Sequence, residues 1–224
     1  MRMRKKKNLE SRLNACGELL TVAEPEVKDR RETPVKTSCL ELGALFGNSD
    51  PVYMEVGCGK GRFACEYAAA HPGRNLLAIE KSANVIVAAC EGASQRGLEN
   101  VRFLKCSAEY LDCFIPEKSI SGIFLNFSCP FPKKGYAKHR LTHRSFLAIY
   151  DSLMLPGAEI HMKTDDRGLF EFSVEELSEY GFTLKNVTLD LHNSGFEGNI
   201  MTEYETRFTE MDKPIYRLEA YLKD

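Results

Sequence analysis

From about residue 51 onward, short apolar runs alternate with segments of helical periodicity. The apolar runs predict strands at residues 52–56, 76–79, 101–104, 120–127, 158–164, 182–191 and 215–222. Apolar residues at i, i+3, i+4 and i+7 predict helices at residues 62–71, 84–96, 141–154 and 168–180, with no helix between the last two strands. Such alternation predicts an α/β fold with parallel βαβ units covered by helices on both faces, and the closing strand–loop–strand predicts an antiparallel pair at one edge.

The first strand of this region leads into a glycine-rich loop flanked by acids. The loop reads Glu55-Val-Gly57-Cys-Gly59-Lys-Gly61, and Glu80 ends the next strand. Glycines at alternate positions permit a tight turn, and a carboxylate after the second strand can accept both hydroxyls of a ribose. An acid before the loop suits an ammonium group better than a pyrophosphate. The pattern therefore favours S-adenosylmethionine over NAD, whose loop has G-x-G-x-x-G spacing; a plain strand–helix turn is the alternative.

After the third strand, Ser107 occupies the place where an acid often meets the adenine amino group, and Glu109 comes two residues later. After the fourth strand, the run Asn126-Phe-Ser-Cys129-Pro-Phe-Pro-Lys133-Lys134 places aromatic and amide groups where a flat substrate would lie. We expect this loop to sandwich a base if the reaction is methyl transfer to a planar nitrogen.

The charge is unevenly distributed along the 224 residues. The net charge is −2, with 30 Lys/Arg against 32 Asp/Glu, which by itself argues against a nucleic-acid partner. Residues 1–7 and 133–144, however, carry ten Lys/Arg and no acid, so positive charge is gathered at two places. Charge runs are most often solvated faces, but an acid-free run beside a predicted active-site loop indicates phosphate binding.

The remaining composition narrows the class of protein. The eight cysteines include no C-x-x-C pair, so we expect a reduced cytoplasmic protein, without a metal site, that uses Cys as a small apolar residue. No apolar run is long enough for a membrane helix, and the basic start is not followed by the apolar stretch of a secretory signal. We predict a basic N-terminal arm and charged linker at 1–45 and one domain at 46–224.

At these motifs the chain resembles the bacterial tRNA (guanine-N7-)-methyltransferases. The resemblance covers roughly residue 46 to the end, together with the basic start. It is carried by Met1-Arg-Met-Arg4, the loop from Glu55 to Gly61, Glu80, Leu125-Asn-Phe-Ser-Cys-Pro-Phe-Pro-Lys-Lys134, His161-Met-Lys-Thr-Asp165, Asp190-Leu-His-Asn-Ser194, Glu197-Gly-Asn-Ile-Met-Thr-Glu-Tyr-Glu205 and Pro214-Ile-Tyr-Arg217. It implies a Rossmann-like class I methyltransferase fold: a mostly parallel, twisted sheet of seven strands, helices on both faces and an antiparallel edge strand.

The resemblance also implies roles for residues. The cofactor, S-adenosylmethionine, would be contacted by Glu55 and Glu80. From their positions after the strands, Gly57, Gly59, Gly61 and Ser107 are predicted to bind the same cofactor. The partner would be tRNA, with a guanine of its variable loop as the target and with contacts from Lys133, Asp165, Thr202, Glu203, Tyr204 and Glu205. The acid-free basic run adds Lys134, Lys138 and Arg140 as predicted tRNA contacts. No obligatory protein partner is evident, and we expect a monomer or a homodimer.

Five residues at three places depart from the family pattern. The usual loop is Ser-Asp-Pro-Trp-Pro-Lys-Lys; here Cys129 replaces the Asp, to which the family assigns catalysis and cofactor contact, and Phe131 replaces the Trp. Ser107 replaces a cofactor-contacting acid, and Gly135 and His139 replace two arginines of the basic stretch. Asp165 and the altered Cys129 are therefore the catalytic candidates.

Other functions stay open at this point. A tRNA-binding protein with an impaired catalytic site is the main alternative, and a small-molecule methyltransferase is another. An NAD-dependent enzyme is the most distant, because the glycine spacing is wrong for it.

Overall fold

The computed structural model describes residues 6–25 and 39–223. The chain divides into two compact units, residues 1–116 and residues 117–224. The basic residues 1–5 and most of the charged linker lie outside the described residues. The domain boundary predicted at residue 46 therefore stays a prediction.

Within its described residues, the first unit consists of four strands and five α-helices. In chain order these are α1 Leu9–Ala15, β1 Leu20–Val22, α2 Leu42–Phe46, β2 Val52–Val56, α3 Arg62–Ala70, β3 Asn75–Ile79, α4 Ala83–Gln95, β4 Val101–Lys105 and α5 Leu111–Phe114. The strands lie side by side in the order β1-β4-β3-β2, and each pair is parallel. β3 is buried along its whole length, as expected for a strand covered on both faces.

The described residues of the second unit form four strands and three α-helices. They are β5 Ile120–Asn126, α6 Arg144–Leu153, β6 Met154–Thr164, α7 Arg167–Tyr180, β7 Phe182–Thr188, α8 Glu203–Thr209 and β8 Tyr216–Leu222, with a 3₁₀ helix at Lys134–His139. β5 and β6 are parallel, whereas β8 pairs antiparallel with both β6 and β7. The predicted antiparallel pair at one edge is thus confirmed.

The α/β class with mostly parallel strands is confirmed, and two details of the prediction are corrected. The described residues contain eight strands, not seven, because β1 adds a short parallel strand beside β4. The prediction of no helix between the last two strands is wrong, since α8 lies there. Thr202 and Glu205 form a capping box that starts this helix: each accepts a hydrogen bond from the other's backbone N–H.

All eight cysteines are free, and six of them are buried, in agreement with their predicted use as small apolar residues. Among the helices of residues 6–25 and 39–223, none combines the length and the apolar character that crossing a membrane requires.

Candidate functional site

The glycine-rich loop lies at the carboxyl end of β2. Gly57, Gly59 and Gly61 all have positive φ, at 86°, 58° and 80°. A Cβ at Gly57 or Gly59 would enter open space, whereas one at Gly61 would lie 2.5 Å from Cβ of Ala89 on α4. Gly61 is therefore required for close packing of the α3 start on α4, and the other two glycines keep their backbone accessible to a ligand.

The two acids of the cofactor prediction stand at the ends of neighbouring strands. β2 and β3 run in register, with Val56 opposite Ile79, so Glu55 precedes the loop and Glu80 follows β3. The backbone N–H groups of Gly57 and Cys58 both donate to the carbonyl of Ile79 at 2.9 Å, which ties the loop to the end of β3.

The exposure of the three polar side chains differs. Glu55 is buried, while Glu80 and Ser107 are half-buried. Oε1 of Glu80 accepts from the N–H of Ser82 at 2.8 Å, which orients the carboxylate at the start of α4. The first unit therefore brings together the glycine loop and the acids that the sequence predicted for cofactor binding.

In the second unit, the loop after β5 contains two non-glycine residues with positive φ, Phe127 at 50° and Phe131 at 42°. Such conformations cost about 1–3 kcal/mol each and persist where the surroundings impose them. For Phe127 the constraint is a 2.8 Å hydrogen bond from its N–H to the carbonyl of Lys163 on β6. Cys129, in the same loop, is exposed.

Arg140 braces this loop from the basic segment that follows it. Its guanidinium donates to the carbonyls of Pro130 at 3.0 Å and Phe131 at 3.1 Å, and it lies over the ring of Phe172 at 4.4 Å. Lys133, Lys134 and Lys138, in contrast, are exposed. The lysines are thus available to phosphates, whereas the contacts of Arg140 give it a role in supporting the loop, and its tRNA contact stays a prediction.

Asp165 and Asp166 follow β6 and have different surroundings. Oδ1 of Asp166 accepts from the N–H of Leu169 at 2.7 Å and so caps α7. Asp165 is half-buried, and Nζ of Lys213 lies 4.0 Å from its Oδ2. Partial burial raises the pKa of the Asp165 carboxyl above its ordinary value. A hydrogen bond from its own backbone N–H and the positive charge of Lys213 lower this pKa, but by less.

A buried ion pair fixes the segment before α8. Nζ of Lys163 donates to Oε2 of Glu205 at 2.8 Å, to the carbonyl of Ile200 at 2.8 Å and to Oδ1 of Asn199 at 2.9 Å. The other carboxylate oxygen of Glu205 accepts from Nδ2 of Asn199 at 2.5 Å. Lys163 therefore holds the 199–205 segment through its side chain and the loop after β5 through its carbonyl.

This network determines how two of the predicted tRNA contacts, Thr202 and Glu205, are placed in the described residues. Glu205 has no exposed surface and Thr202 is 7% exposed, because both form the capping box of α8. In this conformation neither side chain offers a surface to RNA. Glu203 and Tyr204, which lie between them, are exposed and stay candidates.

Three aromatic rings lie together at the start of α8; Phe127, Tyr204 and Phe208 form what we call the aromatic surface. Their centroids are 6.0–6.4 Å apart and their planes lie within 22–30° of one another. Nζ of Lys213 lies 5.0 Å from the centroid of Phe208. The sequence predicted contacts by Tyr204 but missed Phe208, Lys213 and the anchoring role of Lys163, although Lys163 is part of the quoted Lys-Thr-Asp motif.

A second polar cluster lies elsewhere on the strands of this unit. Glu159, His161 and Glu219 have ligand atoms within 4.8 Å of one another. Lys185 and Arg217 already form ion pairs with the two carboxylates, and burial lowers the pKa of His161. Side-chain cations thus neutralise this cluster.

Comparison with known proteins agrees with the geometry of both units. A family model described as "Putative methyltransferase" matches residues 49–218. A curated relative from Geobacillus kaustophilus (strain HTA426), "tRNA (guanine-N(7)-)-methyltransferase", is 46% identical over 176 residues, which are 79% of this chain and 81% of the relative.

Solved structures give the fold. The "16S rRNA methyltransferase KamB" has a TM-score of 0.63 at 16% identity, over 90% of this chain and 100% of its own. An rRNA methylase from Streptococcus thermophilus has a TM-score of 0.53 at 13% identity, over 78% and 88%. The predicted Rossmann-like methyltransferase fold is thereby confirmed. With a family model and a 46% identical relative each spanning most of its length, the chain belongs to the tRNA (guanine-N7-)-methyltransferase family.

Proposed function

We propose that this protein transfers the methyl group of S-adenosylmethionine to N7 of a guanine in the variable loop of tRNA, in the cytoplasm. Identity of 46% to a tRNA (guanine-N(7)-)-methyltransferase supports the reaction class. The geometric observation that carries the proposal is that the two adjacent aspartates after β6 differ in their contacts. Because Asp166 caps α7, the half-buried Asp165 keeps its carboxylate for a ligand.

The first unit fits the cofactor. The accessible backbone at Gly57 and Gly59 suits the carboxylate of the cofactor, and Glu55 suits its ammonium. Glu80 would accept from the ribose hydroxyls, and Ser107 would contact the adenine. The bound cofactor would supply an electrophilic methyl group on a sulfonium.

The second unit supplies orientation. Guanine N7 carries an in-plane lone pair and no proton, so the step needs alignment and exclusion of water more than a general base. Positioning of this kind can account for about 7–11 kcal/mol of a barrier. Asp165 would accept hydrogen bonds from guanine N1–H and the exocyclic amino group, donors that adenine does not present in the same arrangement.

Cys129 has no required step in this scheme, because direct transfer passes through no covalent enzyme intermediate. We therefore expect Cys129→Ser to keep kcat within about threefold. We also expect an acid restored by Cys129→Asp to change the rate little. A large gain with Cys129→Asp would show that the replaced family Asp has a role that this chain lacks.

RNA binding would use the exposed lysines Lys133, Lys134 and Lys138 together with Glu203 and Tyr204 at the start of α8. Phosphate contacts make affinity fall steeply as salt rises. A small-molecule methyltransferase would show little such dependence, so the salt slope separates the two classes.

The test is methyl transfer from labelled S-adenosylmethionine to unmodified tRNA transcripts, followed by nucleoside analysis. We expect 7-methylguanosine in the wild-type reaction and none when the variable-loop guanine is replaced by adenine. If S-adenosylhomocysteine binds in calorimetric titration but no 7-methylguanosine forms, the enzymatic proposal is wrong, and a catalytically impaired tRNA-binding protein takes its place.

A further inference from the structure

The aromatic surface has the features of a base-stacking site. Tyr204 is 57% exposed, although large apolar rings are usually buried, and its neighbours Phe127 and Phe208 are half-buried and nearly parallel to it. Stacking on aromatic side chains is a common way for proteins to hold unpaired bases. The rings come from two segments, the loop after β5 and α8, which Lys163 holds together through its carbonyl and its ammonium group.

The backbone of Phe127 supports this interpretation. Its φ of 50° is unfavourable for a bulky residue, and the hydrogen bond to the Lys163 carbonyl maintains it. Strain of this kind occurs chiefly at ligand-binding and active sites. Phe127 is the first residue of the loop that contains Cys129, so the strain turns the chain at the start of that loop.

The surroundings of the surface suit a cation. The ammonium of Lys213 lies over the ring of Phe208 and 4.0 Å from the carboxylate of Asp165. Aromatic faces and carboxylates both attract positive charge. Lys213 is half exposed, so its ammonium can leave at little cost.

We propose that the aromatic surface of Phe127, Tyr204 and Phe208 stacks the target guanine and stabilises the positive charge that methylation places on it. The proposal rests on the function proposed above and adds a source of transition-state stabilisation to it. The Lys213 ammonium occupies the cation position in the free protein and yields it to the base.

The electron balance of the step explains why a cation site is useful here. The N7 lone pair forms the new bond to the methyl carbon, and the electron pair of the carbon–sulfur bond stays on sulfur. The sulfonium thereby becomes a neutral thioether, and one positive charge moves to the purine. Contacts that favour a cationic purine are stronger in the transition state than with neutral guanine, so they raise the rate and not only the affinity.

The first experiment measures single-turnover methyl transfer to tRNA by Tyr204→Leu, Tyr204→Phe and Phe208→Leu. Cation–aromatic contacts correspond to between about threefold and thirtyfold in an equilibrium or rate. We expect losses in this range for the two Leu variants and a near-wild-type rate for Tyr204→Phe, which keeps the ring. Phe196→Leu is the matched control, because Phe196 is an exposed ring over a cation, Arg217, outside the aromatic surface.

The second experiment measures binding of the S-adenosylhomocysteine complex to two tRNA transcripts, one with 7-methylguanosine at the target and one unmodified, at a single salt concentration. We expect the wild type to bind the methylated tRNA about three to thirty times more tightly. Tyr204→Leu should abolish most of this preference, while the control keeps it.

The outcomes separate the two proposals. If the wild type methylates tRNA but binds both transcripts equally, or if Tyr204→Leu keeps both the rate and the preference, the charge-stabilising role is wrong and the proposed function stands. If the wild type prefers methylated tRNA but does not methylate, the proposed function fails and the cation site stands. Circular dichroism confirms that each variant is folded.

Discussion

Replacement of Lys163 with methionine removes the cation from the buried network that fixes the start of α8. Lys163 is 8% exposed and Glu205 is fully buried, and the ammonium donates three hydrogen bonds of 2.8–2.9 Å. Methionine preserves most of the aliphatic volume but none of the donors. The carboxylate of Glu205 then keeps three polar neighbours but no lysine: the amide of Asn199, the backbone N–H of Thr202 and the more distant His192.

The size of the effect follows from the burial of both partners. Removal of one member of a buried pair typically costs about 3–5 kcal/mol, because the remaining charge is left uncompensated in a poorly solvated place. We expect Lys163→Met to lower the free energy of unfolding by about this amount. Glu205→Met should cost a comparable amount, and the double variant should cost less than the two single costs together, with a coupling energy of about 1–3 kcal/mol.

The chain has no tryptophan, so urea unfolding is best followed by circular dichroism. Arg167→Met is the matched control, because Arg167 forms an i,i+4 ion pair with Glu171 in which both side chains are exposed. We expect no measurable change in its urea midpoint, since exposed pairs contribute little. A Lys163→Met variant that loses less than about 1 kcal/mol, or single costs that simply add in the double variant, would refute the assignment of Lys163 as the anchor of this segment.

Three further predictions follow from the site. Asp165→Asn should lower kcat/KM by about 10- to 150-fold, the value of one hydrogen bond to a charged group. The same variant should raise the urea midpoint at neutral pH. Burial raises the folded-state pKa of the Asp165 carboxyl, so ionisation of this carboxyl at neutral pH destabilises the folded wild type. The stability gained by Asp165→Asn should vanish as pH falls below the unfolded-state pKa of the carboxyl, because Asp165 is then protonated in both states. Gly61 has a φ of 80°, and Gly61→Ala places a Cβ 2.5 Å from the side chain of Ala89 on α4. This variant should lower the free energy of unfolding in urea by roughly 2–4 kcal/mol. Gly57→Ala, where the space is open, should lower it by about 1–2 kcal/mol. Lys134→Gln should reduce the salt slope of tRNA binding by about one, whereas Arg140→Gln should slow transfer with the slope unchanged, because Arg140 donates to the loop carbonyls.

The regular part of the fold was predictable from local pattern. The strand at Val52–Val56 has the predicted bounds, because an apolar run that ends in glycines specifies both its conformation and its end. β1 was missed because three residues carry no periodicity, and its pairing with β4 joins residues about eighty positions apart. The pattern of apolar residues does not predict α8, although its start has a signal in the sequence: Thr202 followed three residues later by Glu205 is a capping box.

The candidate site was predictable as a set of segments but not as a set of side-chain directions. The glycine spacing and the strand-end acids predict that Glu55 and Glu80 lie near one edge of the sheet, and the ends of β2 and β3 do lie side by side, because parallel strands end at a common edge. Which of Thr202 to Glu205 faces solvent depends on where α8 begins and on its partner Lys163, which lies about forty residues away. A local sequence pattern carries no information on such a distant contact. The sequence therefore predicts all residues of this motif as tRNA contacts, whether their side chains are buried or exposed.

This distinction changes how variants of the family motif should be interpreted. Glu205 and Tyr204 are adjacent in sequence, yet Glu205 is fully buried against Lys163 and Tyr204 is 57% exposed. Substitution of either would lower methyl transfer, but for different reasons. Loss of Glu205 releases the segment that positions Tyr204, so stability and activity should fall together. In the double variant of Lys163 and Glu205, activity should return only to the extent that α8 forms again. Loss of the Tyr204 ring should lower activity at unchanged stability, since its exposed face contributes little to packing. Stability measured alongside turnover therefore separates the residues that contact RNA from those that hold them in place.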